Sequence, residues 1–259
     1  MTETLRIAVV QSRIEPDIRR NGSHIRQLME QAAAQGARLA LFPEGALSGY
    51  AKAQVRDWDG LDWPALEGEL SAIGSSATAL GITAVIGSAH PIAGRRPHNS
   101  LFALPDGPRY DKRRLSHTEV TGWYTPGRQQ AIVHQSGFAF GVTLCIEVQF
   151  PELFMDYEAA GVDGVLHASY GLGSSGEVIL QAHAATNCLW LAVATPANAA
   201  DPPSGIIGPD GQWLARCGTG IDIAVAELDR HDPRYEIALT KARPWRRRAR
   251  QGEIYSHAL

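Results

Sequence analysis

Three ionisable side chains of different chemical types lie at the ends of predicted strands in this sequence. Glu44 follows the apolar run 39–42, Lys112 lies at the end of the strand-like segment 109–112, and Cys145 ends the apolar run 138–144. Acyl transfer to a thiol needs a nucleophile, a group that takes its proton and a donor for the developing oxyanion. The three residue types can supply these functions if the fold brings them together.

Cys145 has the most informative surroundings of the three. The run 138–144 is rich in strand-forming residues, and Pro151 and Glu152 then mark a helix start. A side chain at the end of a strand often carries chemistry. A free thiol with a pKa of ~8.5 is mostly protonated at neutral pH, so a catalytic Cys145 needs a partner base. The alternative is a buried structural cysteine.

Glu44 and Lys112 also have ordinary alternatives. Glu44 follows a proline in a turn and could be a solvated loop acid. Lys112 belongs to the charged segment 111–114 and could be one of several surface cations. Each residue alone is weak support for a site, so the prediction depends on all three.

Composition excludes several other classes of protein. The chain has 259 residues, a net charge of -3, 44% hydrophobic and 20% charged residues, which is typical of a soluble globular protein without a general bias toward nucleic acid or membrane. The N-terminus shows no signal-peptide pattern, and no apolar stretch reaches the ~20 residues of a membrane helix. We expect neither nucleic acid nor membrane as a partner.

The cysteines and histidines do not form a recognisable metal motif. Three scattered cysteines are too few for a disulfide framework or a Cys-x-x-Cys site, and the 9 histidines include no His-x-x-x-His pair. We therefore expect no metal, no other cofactor and a cytoplasmic location with free thiols.

Helical and strand patterns alternate along the chain, with hairpins between them. Strands are predicted at 5–11, 39–42, 82–89, 99–104, 109–112, 138–144, 164–168, 189–194, on both sides of 209–211, and at 221–228. Helices are predicted at 17–35, 65–80, 152–160 and 176–187. The pattern indicates a mixed sheet covered by helices, and no linker divides residues 1–259 into separate domains.

Three sequence blocks carry a family resemblance. The segments 42–50 (FPEGALSGY), 110–115 (YDKRRL) and 144–152 (LCIEVQFPE) resemble, in order and spacing, the Glu, Lys and Cys motifs of the nitrilase superfamily of carbon-nitrogen hydrolases. The resemblance covers nearly the whole chain and favours the amidase-like branch. It implies a four-layer αββα sandwich with two mixed β-sheets. It also implies a homodimer or higher homo-oligomer, to whose interface a C-terminal tail at about 241–259 contributes.

The resemblance also implies a set of roles. Glu44 would be the general base and acid, Lys112 the oxyanion stabiliser and Cys145 the nucleophile that forms a thioester with a small linear amide, which water then hydrolyses. The backbone N–H of Ile146 would share in holding the oxyanion. Glu119 occupies the position that looks like the second acid of the family, with a solvated loop glutamate as the alternative.

The sequence departs from the family pattern after the cysteine. Gln149 stands where many members carry an arginine, and Glu147 replaces a shorter acid. Without that guanidinium a pocket loses a bidentate partner for a carboxylate. An N-carbamoyl amino acid is therefore disfavoured as substrate, although Arg128 or His183 could substitute.

Three aromatic residues are candidates for the substrate pocket: Tyr50, Trp123 and Tyr170. Packing in the core or at a dimer interface is the alternative for each. His167 is a further candidate base for Cys145, ranked below Glu44 because no accompanying Asn or Asp motif is evident.

Other functions remain open at this point. Within enzymes, a nitrilase or an N-carbamoyl amine hydrolase is the next interpretation after an amidase. Outside enzymes, a catalytically silent relative could act as a dimeric binding or scaffold protein. The basic run 243–250 indicates a solvated or partner-contacting tail.

Overall fold

Two six-stranded sheets form the body of the protein. The computed structural model describes residues 3–199 and 202–255. The first sheet contains β1 (Thr4–Gln11), β2 (Leu39–Leu41), β3 (Thr83–Ile92), β4 (Arg95–Leu104), β5 (Arg109–Asp111) and β12 (Asp222–Asp229). The second contains β6 (Ile132–Gln135), β7 (Phe138–Leu144), β8 (Gly164–Ala168), β9 (Trp190–Ala194), β10 (Gly205–Ile207) and β11 (Trp213–Arg216).

Both sheets are mixed and are built in a similar way. The strand order is β12-β1-β2-β3-β4-β5 in the first sheet and β11-β10-β9-β8-β7-β6 in the second. Strands β1, β2 and β3 are parallel, as are β7, β8 and β9, whereas the outer strands pair antiparallel. The parallel pairs place the ends of β2 and β7, which precede Glu44 and Cys145, at sheet edges where loops can meet.

Helices connect the parallel strands, as such pairs require. The connections are α1 (Ile18–Ala34), α2 (Trp63–Leu80), α3 (Pro151–Ala159) and α4 (Gly176–Asn187). The side chain of Asp17 caps α1 by accepting from the backbone N–H groups of Arg19 and Arg20. Helix α2 ends at Gly81, which adopts the left-handed conformation that terminates helices.

Three layers of apolar packing hold the sheets and helices together. A central core lies between the two sheets and includes Val9, Leu41, Phe140 and Leu166. A second core lies between the first sheet and helices α1 and α2, and a third lies between the second sheet and helices α3 and α4. Alternating strand residues supply the two faces of each sheet. The four-layer αββα sandwich with two mixed sheets is confirmed.

The helices and strands of the core agree with the predicted segments to within a few residues. One edge strand and the C-terminal helix were not predicted. Strand β6 is short and carries polar residues, so its pattern did not stand out from a loop. The basic run at the C-terminus folds into helix α5 (Arg243–Arg250), since arginine is a good helix former. The residues directly after Cys145 form a short 3₁₀-helix, Cys145–Gln149, before α3 begins.

Helix α5 packs on its own chain. The buried carboxylate of Glu158 on α3 lies 2.9 Å from the guanidinium of Arg247 and 3.0 Å from that of Arg250. These ion pairs fix α5 against α3, and a hydrogen bond from Arg250 to the side-chain oxygen of Asn187 joins it to α4. Residues 256–259 of the predicted tail lie outside the described residues. Within the described ranges, no helix is long and apolar enough to cross a membrane.

Candidate active site

Glu44 lies in a tight turn directly after β2. The N–H of Ala46 donates to the carbonyl of Pro43 at 3.2 Å, and the N–H of Leu47 donates to the carbonyl of Gly87 on β3 at 3.0 Å. A Cβ at Gly87 would lie 2.2 Å from the Pro43 oxygen and 2.8 Å from Cα of Glu44. Glycine at position 87 therefore lets the turn that carries Glu44 pack directly on β3.

Lys112 follows β5 and is held by its neighbours through the backbone. Its N–H donates to the carbonyl of Asn99 at 2.8 Å, and its carbonyl accepts from Gly127 at 2.8 Å. These bonds direct the long side chain inward, where it is 0% exposed. A buried ammonium requires charged or polar partners.

The partners of Lys112 are two carboxylates. Its Nζ lies 2.9 Å from Oε1 of Glu44 and 2.8 Å from Oε1 of Glu119. Glu119 begins one turn of π-helix, Glu119–Trp123, and its Oε2 accepts from the N–H of Ser116 at 2.8 Å. The structure thus brings Glu44, Lys112 and Glu119 into one buried cluster.

Asn99 completes this cluster, and sequence reasoning missed it. Its side-chain amide donates to Oε1 of Glu44 at 2.7 Å and to Oε1 of Glu119 at 3.3 Å. The other oxygen of Glu44 accepts from the N–H of Tyr170 at 3.0 Å. The available signal was a buried-strand pattern in β4 interrupted by an amide, which does not by itself identify a site.

The pKa values of the two carboxyl groups in the cluster are shifted in opposite directions. Burial, assisted by the negative charge of Glu119, raises the pKa of Glu44 although Lys112 opposes this. Burial also acts to raise the pKa of Glu119, but the charge and hydrogen bond of Lys112 outweigh it and lower that pKa. One carboxyl group is thereby suited to exchange a proton, while the other remains ionised.

Lys112 stays charged in this environment. Burial acts to lower the pKa of its ammonium, but the negative charges of Glu44, Cys145 and Glu119 outweigh burial and raise the pKa well above its usual range. An ammonium has three N–H donors. Two of them serve the carboxylates, which leaves one for another acceptor.

Cys145 lies at a sharp turn from β7 into the short 3₁₀-helix. Its φ of 46° is in the left-handed region, which is strained for a residue with a side chain and is concentrated at functional sites. The thiol Sγ lies 3.6 Å from the carbonyl of Gly171. Burial first, and then the charge of Glu44, raise the pKa of Cys145 to about 11, while Lys112 and the Ser169 hydroxyl oppose the rise.

The segment after β8 joins Cys145 to the buried cluster, because Gly171 contacts the thiol and the adjacent Tyr170 donates its N–H to Glu44. The charges of Glu44, Lys112 and Glu119 all act on its thiol. Because the thiol is predominantly protonated at neutral pH, attack by sulfur requires a base to remove the proton. Ser169, whose hydroxyl acts to lower the pKa of Cys145, is a second residue of the site that the sequence did not identify.

Ile146 is the second residue of the 3₁₀-helix that begins at Cys145. The first N–H groups of a helix have no acceptor within the helix. The backbone N–H of Ile146 is therefore adjacent to the thiol and belongs to a set of donors that a helix leaves unused.

Two of the aromatic pocket candidates stack on each other. The rings of Tyr50 and Tyr170 are 4.3 Å apart between centroids and nearly parallel. The amide of Gln54 donates to the Tyr170 hydroxyl at 3.0 Å and orients that ring. The charge of Glu44, followed by burial and the charge of Cys145, raises the pKa of Tyr50.

Trp123 lies farther along the turn that Glu119 begins. Its carbonyl accepts from Nε1 of Trp58 at 2.8 Å, and the two indole rings meet edge to face. Both tryptophans line a cleft of about 630 Å³ together with Arg56 and Arg96. Trp123 thus borders a cleft beside the segment that carries Glu119.

The two residues considered as carboxylate partners, Arg128 and His183, have different surroundings. His183 packs against Phe154, with ring centroids 3.8 Å apart, and its Nε2 donates to the carbonyl of Val148 at 2.8 Å. Arg128 is exposed and lines a separate cavity of about 580 Å³ with His98 and Arg109. His183 is therefore already engaged and does not replace the missing arginine.

His167 is not arranged as a base for Cys145. Its Nδ1 lies 2.9 Å from the hydroxyl of Thr143, and burial lowers its pKa to about 3. The ring is therefore neutral. Across the described ranges, no group of three or more His, Cys, Asp and Glu side chains is arranged to hold a metal ion.

Comparisons with known proteins identify the family of the chain. The sequence model of the carbon-nitrogen hydrolase family matches residues 6–234. A chloroplastic omega-amidase of Arabidopsis thaliana is 28% identical over 255 residues, which cover 86% of this chain and 67% of the relative. An omega-amidase of Danio rerio is 26% identical, with 92% of this chain and 94% of the relative covered.

A solved structure extends the similarity to three dimensions. A variant of an amidase from Nesterenkonia sp. AN1, modified by acrylamide at its active-site cysteine, superposes with a TM-score of 0.78 at 25% identity, covering 95% of this chain and 99% of that chain.

The chain belongs to the carbon-nitrogen hydrolase family. It is a member of the nitrilase superfamily and an enzyme of the amidase type.

Proposed function

We propose that the protein hydrolyses a small linear amide through a thioester on Cys145, with Glu44 as general base and acid and Lys112 as oxyanion donor. The observation that carries this proposal is the buried cluster in which Lys112 bridges Glu44 and Glu119 at 2.9 and 2.8 Å. The charges of this cluster act directly on the Cys145 thiol.

The first half of the reaction releases ammonia or a small amine. Sγ of Cys145 attacks the amide carbon while a carboxylate oxygen of Glu44 accepts the thiol proton. A tetrahedral intermediate forms, and Glu44 then passes this proton to the nitrogen as the carbon-nitrogen bond breaks. A thioester remains on Cys145. The raised pKa of Glu44 suits it to both steps, because a group that is not strongly acidic returns its proton readily.

Lys112 and the backbone N–H of Ile146 hold the oxyanion during this step. Lys112 has one N–H left after its bonds to Glu44 and Glu119, and preformed donors of this kind stabilise charge that develops in the transition state. Glu119 stays ionised and fixes the ammonium in place, which is the role we assign to it.

The second half of the reaction hydrolyses the thioester. Glu44 accepts a proton from a water molecule as the water oxygen attacks the thioester carbon. Lys112 and the Ile146 N–H hold the second oxyanion. The carbon-sulfur bond then breaks, Glu44 returns the proton to Sγ, and the carboxylic acid leaves. The chain's own residues account for every proton in this cycle.

We place small linear amides ahead of N-carbamoyl amino acids as substrates. Gln149 supplies no guanidinium after the cysteine, and His183 is bonded to the Val148 carbonyl. Two relatives bear the name omega-amidase, and the structural neighbour is an amidase. Tyr50, Tyr170 and Trp123 are the pocket residues that we propose for the acyl side of the substrate.

A panel of amides, nitriles and N-carbamoyl compounds assayed for ammonia tests the proposal. We expect release from short linear amides, and abolition of that release in C145A. Release from nitriles or carbamoyl compounds in preference to amides would establish the corresponding alternative. Turnover of none of them, with slow alkylation of Cys145, would favour a catalytically silent scaffold.

We further propose that the enzyme works in the cytoplasm as a homodimer. The three cysteines are free in the structure, which fits a reducing compartment. The homodimer is proposed from the family resemblance.

A further inference from the structure

Glu147 is a buried carboxylate that is not part of the proposed reaction. It is the third residue of the short helix that begins at Cys145. Its Oε1 accepts from the N–H groups of Arg113 and Arg114 at 2.8 and 2.9 Å, and its Oε2 accepts from the N–H of Leu144 at 2.8 Å. The Tyr110 hydroxyl lies 2.7 and 2.8 Å from the two oxygens.

These bonds join two parts of the chain that are distant in sequence. Arg113 and Arg114 directly follow Lys112, and Leu144 directly precedes Cys145. The two segments belong to different sheets, since β5 lies in the first and β7 in the second. A single side chain therefore ties the backbone next to the ammonium to the backbone next to the thiol.

We propose that Glu147 is a positioning residue that holds the Cys145 turn in register with Lys112, so that the thiol, the Lys112 ammonium and the Ile146 N–H converge on one carbonyl group. This inference rests on the proposed function. Productive geometry within about 0.5 Å is needed for such a site, and residues behind it usually provide that accuracy. Three backbone donors on one rigid carboxylate supply such a constraint here.

Replacing Glu147 by glutamine keeps the size of the side chain and breaks this arrangement. A carboxylate accepts at both oxygens, whereas an amide presents N–H donors at one of them. In E147Q an amide N–H would therefore face either Leu144 or the Arg113 and Arg114 pair, all of which are donors. Loss of a negative charge near an oxyanion favours the reaction electrostatically, so a lower kcat in E147Q would report geometry rather than charge.

The experiment compares turnover with alkylation. Acylation needs the oxyanion donors, but alkylation of Cys145 by iodoacetamide develops no oxyanion at Lys112. We expect E147Q to lower kcat about 10²-fold, the cost of losing one oxyanion donor, with KM and the alkylation rate both within about threefold of the wild type. Wild-type kcat in E147Q, or parallel losses in kcat and alkylation, would overturn the inference.

E158Q is the matched control, because Glu158 is another buried glutamate with several partners but belongs to the α3 and α5 packing. We expect it to retain wild-type kcat. If E147Q does not fold, E147D decides, since it keeps the negative charge but is one methylene too short to reach both Leu144 and the Arg113 and Arg114 pair. A lower kcat with unchanged alkylation in E147D supports the role, and wild-type kcat refutes it. Ammonia release by C145A would instead refute the proposed function itself.

Discussion

At the scale of single residues, the site depends on one ammonium shared by two carboxylates. Burial, assisted by the negative charge of Glu119, raises the pKa of Glu44 although Lys112 opposes the rise. At Glu119 burial also acts to raise the pKa, but the charge and hydrogen bond of Lys112, assisted by the Ser116 N–H, outweigh burial and lower it. The balance between burial and the shared ammonium therefore separates the pKa values of the two glutamates.

The first prediction concerns pH. Glu44 must be ionised to accept the thiol proton, and its pKa is raised above the ordinary 4.5. We therefore expect kcat/KM to fall as pH decreases through this raised pKa. E119Q removes a charge that raises the pKa of Glu44, so its acid limb should move to lower pH while its kcat falls. An acid limb that stays in place or moves upward in E119Q would contradict the account.

The second prediction concerns Lys112. K112M removes an oxyanion donor and should lower kcat by about 10²–10³. It also leaves two buried carboxylates without their cation, which should lower the free energy of unfolding by about 3–5 kcal/mol. Kinetics and urea unfolding measure the two effects. K241M removes an exposed lysine paired with Glu236 and should change neither quantity appreciably. Wild-type turnover in K112M would exclude the assigned role.

Sequence reasoning reached some of these residues and missed others for a physical reason. Glu44, Lys112 and Cys145 lie at the ends of predicted strands, so their positions are visible in the pattern. Asn99 lies inside a strand, and the role of Glu147 depends on N–H groups of a segment far away in sequence. Such contacts depend on the packing of two sheets, which no local pattern encodes.

At the scale of elements, short turns after strands do most of the positioning. The turn that carries Glu44 packs on β3 because residue 87 is glycine, and the turn that carries Cys145 holds a left-handed residue at the end of β7. The core strands and four helices were predictable from periodicity. Strand β6 and helix α5 were not, because a short polar edge strand and an arginine-rich helix lack a clear apolar pattern.

The third prediction tests the packing of the Glu44 turn. In G87A the new methyl group would meet backbone atoms at 2.2 to 2.8 Å, so the turn must shift. We expect a large fall in kcat together with a lower midpoint of thermal unfolding. G68A on α2 is the control, since a methyl group there meets nothing within 4 Å, and alanine is favoured over glycine in helices by about 1 kcal/mol. Normal kcat in G87A would show that the turn's position does not matter.

At the scale of the whole molecule, the two sheets each contribute part of the proposed site. Glu44, Asn99 and Lys112 come from the first sheet and its turns, whereas Cys145 and Tyr170 follow strands of the second. The central core between the sheets therefore fixes the distance between the thiol and the buried cluster. The αββα architecture followed from the family resemblance, because alternating patterns alone indicate only a mixed sheet with helices.

The fourth prediction concerns assembly. We expect a homodimer in sedimentation-velocity measurements at micromolar concentration, and a monomer would contradict this. A substitution in helix α5 can test whether the C-terminal tail contributes to the dimer interface. Trp245 is 56% exposed, while the neighbouring Arg247 and Arg250 are bound to Glu158 of the same chain. W245A should weaken the dimer without disturbing those ion pairs. An unchanged dissociation constant would exclude Trp245 from the interface.

The most direct test of the central claim is the mass of the protein during turnover. We expect rapid acid quenching of the enzyme with butyramide to reveal an adduct equal to the acyl group without its nitrogen, located on Cys145 by peptide mapping and removed by hydroxylamine. E44Q should accumulate this adduct slowly, if at all, and C145A should not form it. Ammonia release by the wild type without any such adduct, or an adduct on another residue, would contradict the account.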